Sequence, residues 1–218
     1  MIELNFRKNG VLICFVGIDG SGKTSHALAL HKEFSNRNIN SVYVRPRYAL
    51  LRFVPSVLRR RVQLDSSFSP RLITISSGNR KALKIRRFLK VPLTAMLFAY
   101  AFLTYFLCIR PLLRNSIVVC DRYFFDLFYN LWGDSSLALV RMLPSPDAAF
   151  VFDVPVAVGF SRMHSEDDKR ISQEYYNKLR RWYLRLARQE KFIVVDSSSD
   201  FERNRQLVSD RMKVYFEG

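Results

Sequence analysis

The sequence predicts an α/β protein built on a parallel sheet, and three observations carry that prediction. The apolar run Val11-Leu12-Ile13-Cys14-Phe15-Val16 reads as a buried strand. A glycine-rich loop follows it directly, Gly17-Ile18-Asp19-Gly20-Ser21-Gly22-Lys23-Thr24. Beyond the loop, Ala27, Leu30 and Phe34 recur at the spacing of one helix face. Strand, loop and helix in that order place a helix N-terminus at the end of a strand, where oriented N–H groups can receive an anion.

The loop matches G-x-x-x-x-G-K-[ST]. Gly17, Gly20 and Gly22 permit a tight turn whose N–H groups, with that of Ser21, point at phosphate oxygens. Lys23 can reach the β- and γ-phosphates, and the Thr24 hydroxyl can sit on Mg²⁺. Together these residues predict the phosphates of a nucleotide with Mg²⁺ as the bound group. Ser41-Val42-Tyr43-Val44 reads as a second strand and completes a βαβ unit. Arg45-Pro46-Arg47 leaves it, as an anion site at the sheet edge or as solvated loop charge. From residue 50 to 90 the basic clusters Leu58-Arg59-Arg60-Arg61 and Arg80 to Arg87 predict one or two helices.

Residues 91–109 carry no charge, lie between Lys90 and Arg110, and are long enough to cross a bilayer. A span here would interrupt the sheet, so a buried or dimer-interface helix is preferred and membrane contact is the second reading. Ile117-Val118-Val119-Cys120 is the next strand and ends in Asp121-Arg122-Tyr123. An acid at that strand end is where a Mg²⁺-associated carboxylate belongs, and Arg122 can hold a phosphate bidentately. Residues 148–154 form another strand, ended by Asp153 and Pro155, and a helix begins near Val156. The charged segment His164-Ser165-Glu166-Asp167-Asp168-Lys169-Arg170 lacks an apolar stripe and reads as a mobile surface element. Ile171, Tyr175, Leu179, Trp182 and Leu186 mark a long amphipathic helix. Lys191 to Asp196 is the last strand, and Ser199-Asp200-Phe201-Glu202 has the form of a capping box opening a C-terminal helix.

The chain has 218 residues and reads as one domain, 1–218, with a formal charge of +16 that favours anionic partners. Its basic residues are scattered and no nucleic-acid-binding signature stands out, which argues against nucleic acid. Cys14, Cys108 and Cys120 all lie in apolar runs, an odd set that fits a reducing, cytoplasmic compartment. No signal-peptide core precedes residue 10.

The order of these pieces resembles thymidylate kinase and its relatives among nucleoside monophosphate kinases. The resemblance rests on the loop at residues 17–24, Cys120-Asp121-Arg122-Tyr123, Phe152-Asp153-Val154-Pro155, Tyr175 to Leu184, and Val194-Val195-Asp196-Ser197. It implies a three-layer P-loop NTPase fold with a five-stranded parallel sheet and a small helical lid at about 162–172. It also implies ATP and Mg²⁺, a nucleoside monophosphate acceptor, and a homodimer. By resemblance, Asp19 faces the acceptor sugar and Arg122 holds the acceptor phosphate. Position 20 is glycine where some relatives carry arginine, so Arg162, Arg170 or Lys169 would supply the lid charge. The base-gripping pair of the family, a Phe and an Arg four residues on, aligns with Leu97 and Ala101, or with Phe98 and Phe102; neither alignment supplies the arginine. Arg45-Pro46-Arg47 replaces an Arg-Glu-Pro element, and Tyr129-Asn130-Leu131 replaces Ala-Tyr-Gln. The leading expectation is phosphoryl transfer from Mg²⁺-ATP to a nucleoside monophosphate, dTMP to dTDP. The alternatives are the same chemistry on another nucleotide, a nucleoside, a sugar or a lipid-linked acceptor, or a non-catalytic nucleotide-binding regulator.

Overall fold

The computed structural model describes residues 10–46, 80–163, 171–198 and 200–214. The chain divides into two compact units. The first comprises Met1–Arg47, Ile109–Tyr123 and Pro146–Gly218; the second comprises Tyr48–Cys108 and Phe124–Ser145.

The first unit holds a sheet of five parallel strands, β1 (Leu12–Gly17), β2 (Ser41–Val44), β3 (Ile117–Asp121), β4 (Ala148–Asp153) and β5 (Ile193–Asp196), in the order β2-β3-β1-β4-β5. β1 and β2 do not pair with each other. β3 lies between them, with Leu12 opposite Val118 and Val42 also opposite Val118. β1 and β3 are buried along their whole length, which is why they read as unbroken apolar runs.

Helix α1 (Lys23–Asn36) buries Ala27, Leu30 and Phe34 against Ile13, Phe15, Val119 and Phe150. The C-terminal helix, called α7 below (Phe201–Lys213), adds Val208 and Met212 to the same cluster. Phe15 stacks with Phe150 and Phe152 at ring separations of 5.4 and 5.6 Å. The N-cap of α7 is Asp200, whose carboxylate accepts from the N–H groups of Glu202 and Arg203. The expected cap, Ser199, lies outside the described residues. A carboxylate also complements the helix dipole, so the acid one residue on is the better cap.

The long helix expected after residue 171 is α6 (Gln173–Glu190), opened by Ser172, whose side chain accepts from the Tyr175 N–H. Its buried face is Tyr176, Leu179, Trp182, Tyr183, Leu186 and Ala187. Tyr176 rather than Tyr175 therefore starts the apolar stripe, and Ile171 precedes the helix. The short helix α5 (Val156–Ser161) packs against α6, with Phe160 edge-on to Tyr176 at 5.4 Å.

The second unit contains α2 (Arg80–Thr104), which runs on through a π-helical turn at Tyr105–Ile109, and the short helices α3 (Phe125–Trp132) and α4 (Ser136–Val140). α2 packs on α3: the Phe98 and Phe128 rings are 4.7 Å apart, and the Trp132 indole N–H donates to Thr94 Oγ1 at 2.7 Å. Pro92 sits inside α2. The stretch expected as a buried or dimer-interface helix is buried on one side only. Ala101, Thr104 and Cys108 are buried, whereas Met96, Leu103, Phe106 and Leu107 are exposed. The remaining expectations for residues 50–79 lie outside the described residues.

Candidate active site

The glycine loop runs from the end of β1 into α1, whose N-cap is Gly22 in the left-handed conformation. Gly20 is also left-handed (φ +74), and a Cβ placed on it would lie 2.1 Å from the carbonyl oxygen of Gly159 in α5. The loop is thus clamped by a second glycine that the sequence reading passed over. No arginine can occupy position 20 without moving α5.

Lys23 is buried at the start of α1, and its ammonium donates to the Ile18 carbonyl at 2.9 Å and to Asp19 Oδ1 at 3.2 Å. Arg122 also donates to Asp19 Oδ1, and the Tyr176 hydroxyl donates to Asp19 Oδ2 at 3.2 Å. Asp19 therefore gathers two cations from opposite ends of the chain. Burial alone would raise its pKa, but Lys23 and Arg122 outweigh burial and hold its carboxyl well below the usual range. Burial pulls the Lys23 ammonium down, Arg122 adds to that, and Asp19 and Asp121 oppose it. Arg122 has φ +69, uncommon for a residue with a Cβ, and its N–H donates to the Phe15 carbonyl at 2.9 Å. The backbone leaves β3 through a conformation costing about 1–3 kcal/mol, and its guanidinium meets the loop there.

Asp121 ends β3, opposite Phe15 of β1, and is buried. Its carboxylate accepts from Thr24 Oγ1 at 2.9 and 3.1 Å, from the Tyr43 hydroxyl at 2.7 Å and from Arg45 Nε at 2.9 Å. Burial and the neighbouring Asp121 push the Tyr43 phenol up to about 12, so it stays protonated and remains a donor. Of the two readings left open for Arg45, the structure gives a third: its guanidinium pairs with Asp121 while half of the side chain faces solvent. Arg47 lies outside the described residues. Thr24 and Asp121 set a hydroxyl beside a carboxylate, the hard-oxygen donor set that suits Mg²⁺ when phosphates complete the coordination. No cluster of three or more His, Cys, Asp or Glu side chains that could hold a metal unaided exists among the described residues.

Across the sheet, Asp153 at the end of β4 is held bidentately by Arg180 of α6 at 2.5 and 2.9 Å. It is a strut between strand and helix. Arg162, expected as a lid cation, donates to the Ser197 carbonyl at 2.9 Å, and Ser197 donates its hydroxyl to the Ser21 carbonyl of the loop. Arg162 is thereby tied to the loop's flank after β5. Lys169 and Arg170 lie outside the described residues. His26 fills the space behind the loop, its Nδ1 2.9 Å from the Gly22 carbonyl and its ring between Phe152 and Phe201.

The structure thus brings Asp19, Lys23 and Arg122 together, and separately Thr24 with Asp121. Sequence reasoning missed Tyr43, Tyr176 and the Gly159 contact. Tyr43 carried a faint signal, a polar tip on the residue next to the end of a strand bound for the loop edge. Tyr176 carried none, because the stripe was drawn through its neighbour Tyr175.

Comparison with known proteins identifies the family. The sequence profile of the family described as Thymidylate kinase matches residues 57–208. That match begins after the glycine loop, so the two signals are independent. A thymidylate kinase from Desulforudis audaxviator is 29% identical over 226 aligned residues, covering 93% of this chain and 94% of the relative. A probable thymidylate kinase from Methanothermobacter thermautotrophicus is 29% identical over 187 residues, 85% of each chain. A thymidylate kinase from Alcanivorax borkumensis is 37% identical over 118 residues, 46% of this chain and 56% of the relative. With a family match over most of its length and a phosphate loop on a five-stranded parallel sheet, the chain belongs to the thymidylate kinase family of nucleoside monophosphate kinases, as a divergent member.

Proposed function

We propose that the protein transfers the γ-phosphoryl group of Mg²⁺-ATP to a nucleoside monophosphate, converting dTMP to dTDP. The observation that carries this reading is the convergence of Lys23 and Arg122 on Asp19 at the mouth of the glycine loop, beside the Thr24–Asp121 pair. Phosphoryl transfer asks the protein chiefly for positioning and charge neutralisation. The loop N–H groups and Lys23 bind the donor phosphates. Arg122 exchanges its carboxylate partner for the acceptor phosphate. Asp19 faces the acceptor and, as the shared anion, keeps both cations in place until the substrates arrive. Thr24 and Asp121 would hold Mg²⁺, which when bound neutralises charge on the β- and γ-phosphates. Arg162, or Arg170 and Lys169 from the segment that follows, supplies the cation that glycine at position 20 does not. The acceptor's own phosphate oxygen attacks the γ-phosphorus and the bond to the β–γ bridging oxygen breaks, so no protein base is needed.

One observation favours a different acceptor. The α2 positions that align with the family's base-gripping pair are Leu97 and Ala101, or Phe98 and Phe102, and neither choice supplies a guanidinium. ADP release from Mg²⁺-ATP, measured with dTMP, dUMP, the other monophosphates, nucleosides and no acceptor, separates the readings. Stimulation by dTMP above all others is the expected result. Stimulation by another acceptor moves the specificity, and ATP binding without acceptor-dependent ADP release overturns the kinase reading in favour of a nucleotide sensor. The free, buried Cys14, Cys108 and Cys120 fit a reducing cytoplasm. Homodimerisation is carried as the state the family resemblance implies, and sedimentation of the purified chain checks it.

A further inference from the structure

Two consecutive carbonyls of the phosphate loop, those of Ser21 and Gly22, are each held by a side chain from behind. Ser197, in the turn after β5, donates its hydroxyl to the Ser21 carbonyl. His26, in the first turn of α1, sits with Nδ1 2.9 Å from the Gly22 carbonyl oxygen, which also receives the His26 main-chain N–H at 3.1 Å. The two side chains flank one residue: a Cβ on Gly22 would lie 3.5 Å from Ser197 Oγ and 3.6 Å from His26 Nδ1. Both are buried, each 4% exposed.

The chemistry of His26 is fixed by its partner. A carbonyl oxygen only accepts, so Nδ1 carries the proton. Nε2 is buried with no hydrogen-bond partner among the described residues, and burial pulls the imidazole pKa down, so the ring is the neutral Nδ1–H tautomer. The rings of Phe152 and Phe201, at 4.7 and 4.3 Å, hold it in place. Ser197 is fixed through its backbone. Its N–H donates to the Asp153 carbonyl at 2.7 Å, and its carbonyl accepts from Arg162 at 2.9 Å.

A trans peptide is planar, with its C=O and N–H pointing in opposite directions. Drawing the Ser21 carbonyl back therefore turns the Gly22 N–H forward. Drawing the Gly22 carbonyl back turns the Lys23 N–H forward. Gly22 has no side chain to cap α1, so the N–H groups at the start of that helix stay open to an anion. Glycine also has the widest backbone freedom, so the peptides on either side of Gly22 need an outside hold to stay aimed.

We propose that His26 and Ser197 are positioning residues for the donor triphosphate, His26 aiming the Lys23 N–H and Ser197 aiming the Gly22 N–H. The proposal rests on the reading of the loop as the site of the donor phosphates. Each residue acts through a backbone amide. Donors held in place before the anion arrives need no reorientation to receive it, and that is what the clamp contributes.

The probe is inorganic tripolyphosphate with Mg²⁺, which carries phosphates without base or sugar, titrated into the full chain by calorimetry. His26→Phe keeps a ring between Phe152 and Phe201 but has no donor. His26→Asn keeps an amide N–H near the place of Nδ1 but has no ring. A donor role expects H26F to raise Kd at least about tenfold and H26N to stay within about threefold of wild type, whereas a packing role expects the reverse order. Ser197→Ala, read against Ser197→Thr, repeats the test without touching that ring, and only S197A is expected to raise Kd at least about tenfold. Amide resonances separate the two arms. In the wild type the Gly22 and Lys23 amide protons are expected to move downfield when tripolyphosphate binds, S197A losing the Gly22 shift and H26F the Lys23 shift. Wild-type affinity in S197A or in H26F, tighter binding by H26F than by H26N, or both shifts retained in the variants overturns the proposal. A wild-type chain that does not bind tripolyphosphate overturns the phosphate reading of the loop itself, and the clamp with it.

Discussion

Gly20 and Gly159 meet backbone against backbone, close enough that a Cβ on Gly20 would lie 2.1 Å from the Gly159 carbonyl oxygen. The phosphate loop is therefore seated on α5, and its shape depends on a residue well over a hundred positions away. Gly20→Ala is expected to cost about 2–4 kcal/mol, from the left-handed backbone and the overlap together. Urea unfolding of the variant reads this directly, and a wild-type midpoint would show that the loop can lift off α5 freely.

Lys23 sits where its ammonium reaches the Ile18 carbonyl and Asp19. Lys23→Ala is expected to lower turnover by at least about a thousandfold, as loss of a transition-state cation does, while the far-UV spectrum stays native. Near-normal kcat in this variant removes Lys23 from the mechanism.

Arg122 is aimed at the loop by its left-handed backbone. Arg122→Ala is expected to reduce kcat/KM for the acceptor by about a hundredfold or more and leave the KM for ATP nearly unchanged. A change confined to the ATP KM would assign Arg122 to the donor.

Arg45 pairs with Asp121, the carboxylate that with Thr24 would hold Mg²⁺, so the guanidinium and the ion would share one anion. Removing one positive charge from that carboxylate favours another. Arg45→Gln is expected to lower the Mg²⁺ concentration for half-maximal activity about threefold, and Asp121→Asn to raise it at least about tenfold. A higher Mg²⁺ requirement in Arg45→Gln would mean that Arg45 positions Asp121 and does not compete for it.

Asp19 links the site to pH. Burial raises its pKa, and Lys23 and Arg122 more than reverse that, so the folded value lies below the unfolded value of about 3.9. A depressed carboxylate contributes stability that is fully present above the unfolded pKa and is lost as pH falls through the folded one. Stability is expected to be level in this respect at neutral pH and to decline below about pH 4. Asp19→Asn is expected to flatten that acid limb in a melting-temperature series. An unchanged slope would assign the acid loss to other carboxylates.

Much of the fold was legible because its cues are local. β1, β3 and β4 are buried on both faces and so appear as continuous apolar runs. The phosphate loop was legible because its conformation demands glycine. The strand order was not, since nothing in residues 12–44 states that β3 inserts between β1 and β2. In α6 Leu179, Trp182 and Leu186 lie on the buried face as their spacing predicts, and only the first member of the stripe differs, because Tyr175 and Tyr176 are chemically identical and only packing chooses between them.

In the candidate site, Lys23 and Thr24 could be named from the glycine loop, and Asp121 and Arg122 from their place at a strand end. Their partners could not. Tyr43, Arg45 and Tyr176 act through side chains that arrive from elsewhere in the chain, and Arg45 looked like loop charge until Asp121 was beside it. The half-exposed face of α2 was hidden for a related reason: an uncharged run looks the same whether one side of it is covered or both.

The placement of β3 also sets a timetable for synthesis. β1 emerges first, yet both of its neighbours, β3 and β4, lie about a hundred or more residues downstream. Until then a wholly apolar strand waits on the ribosome with two open edges, and the phosphate loop it carries has neither Asp121 nor Arg122 to organise it. Nascent chains that stop before Ile117 are therefore sticky and empty, and those that extend past Asp153 are the first that can close the central sheet and take hold of nucleotide.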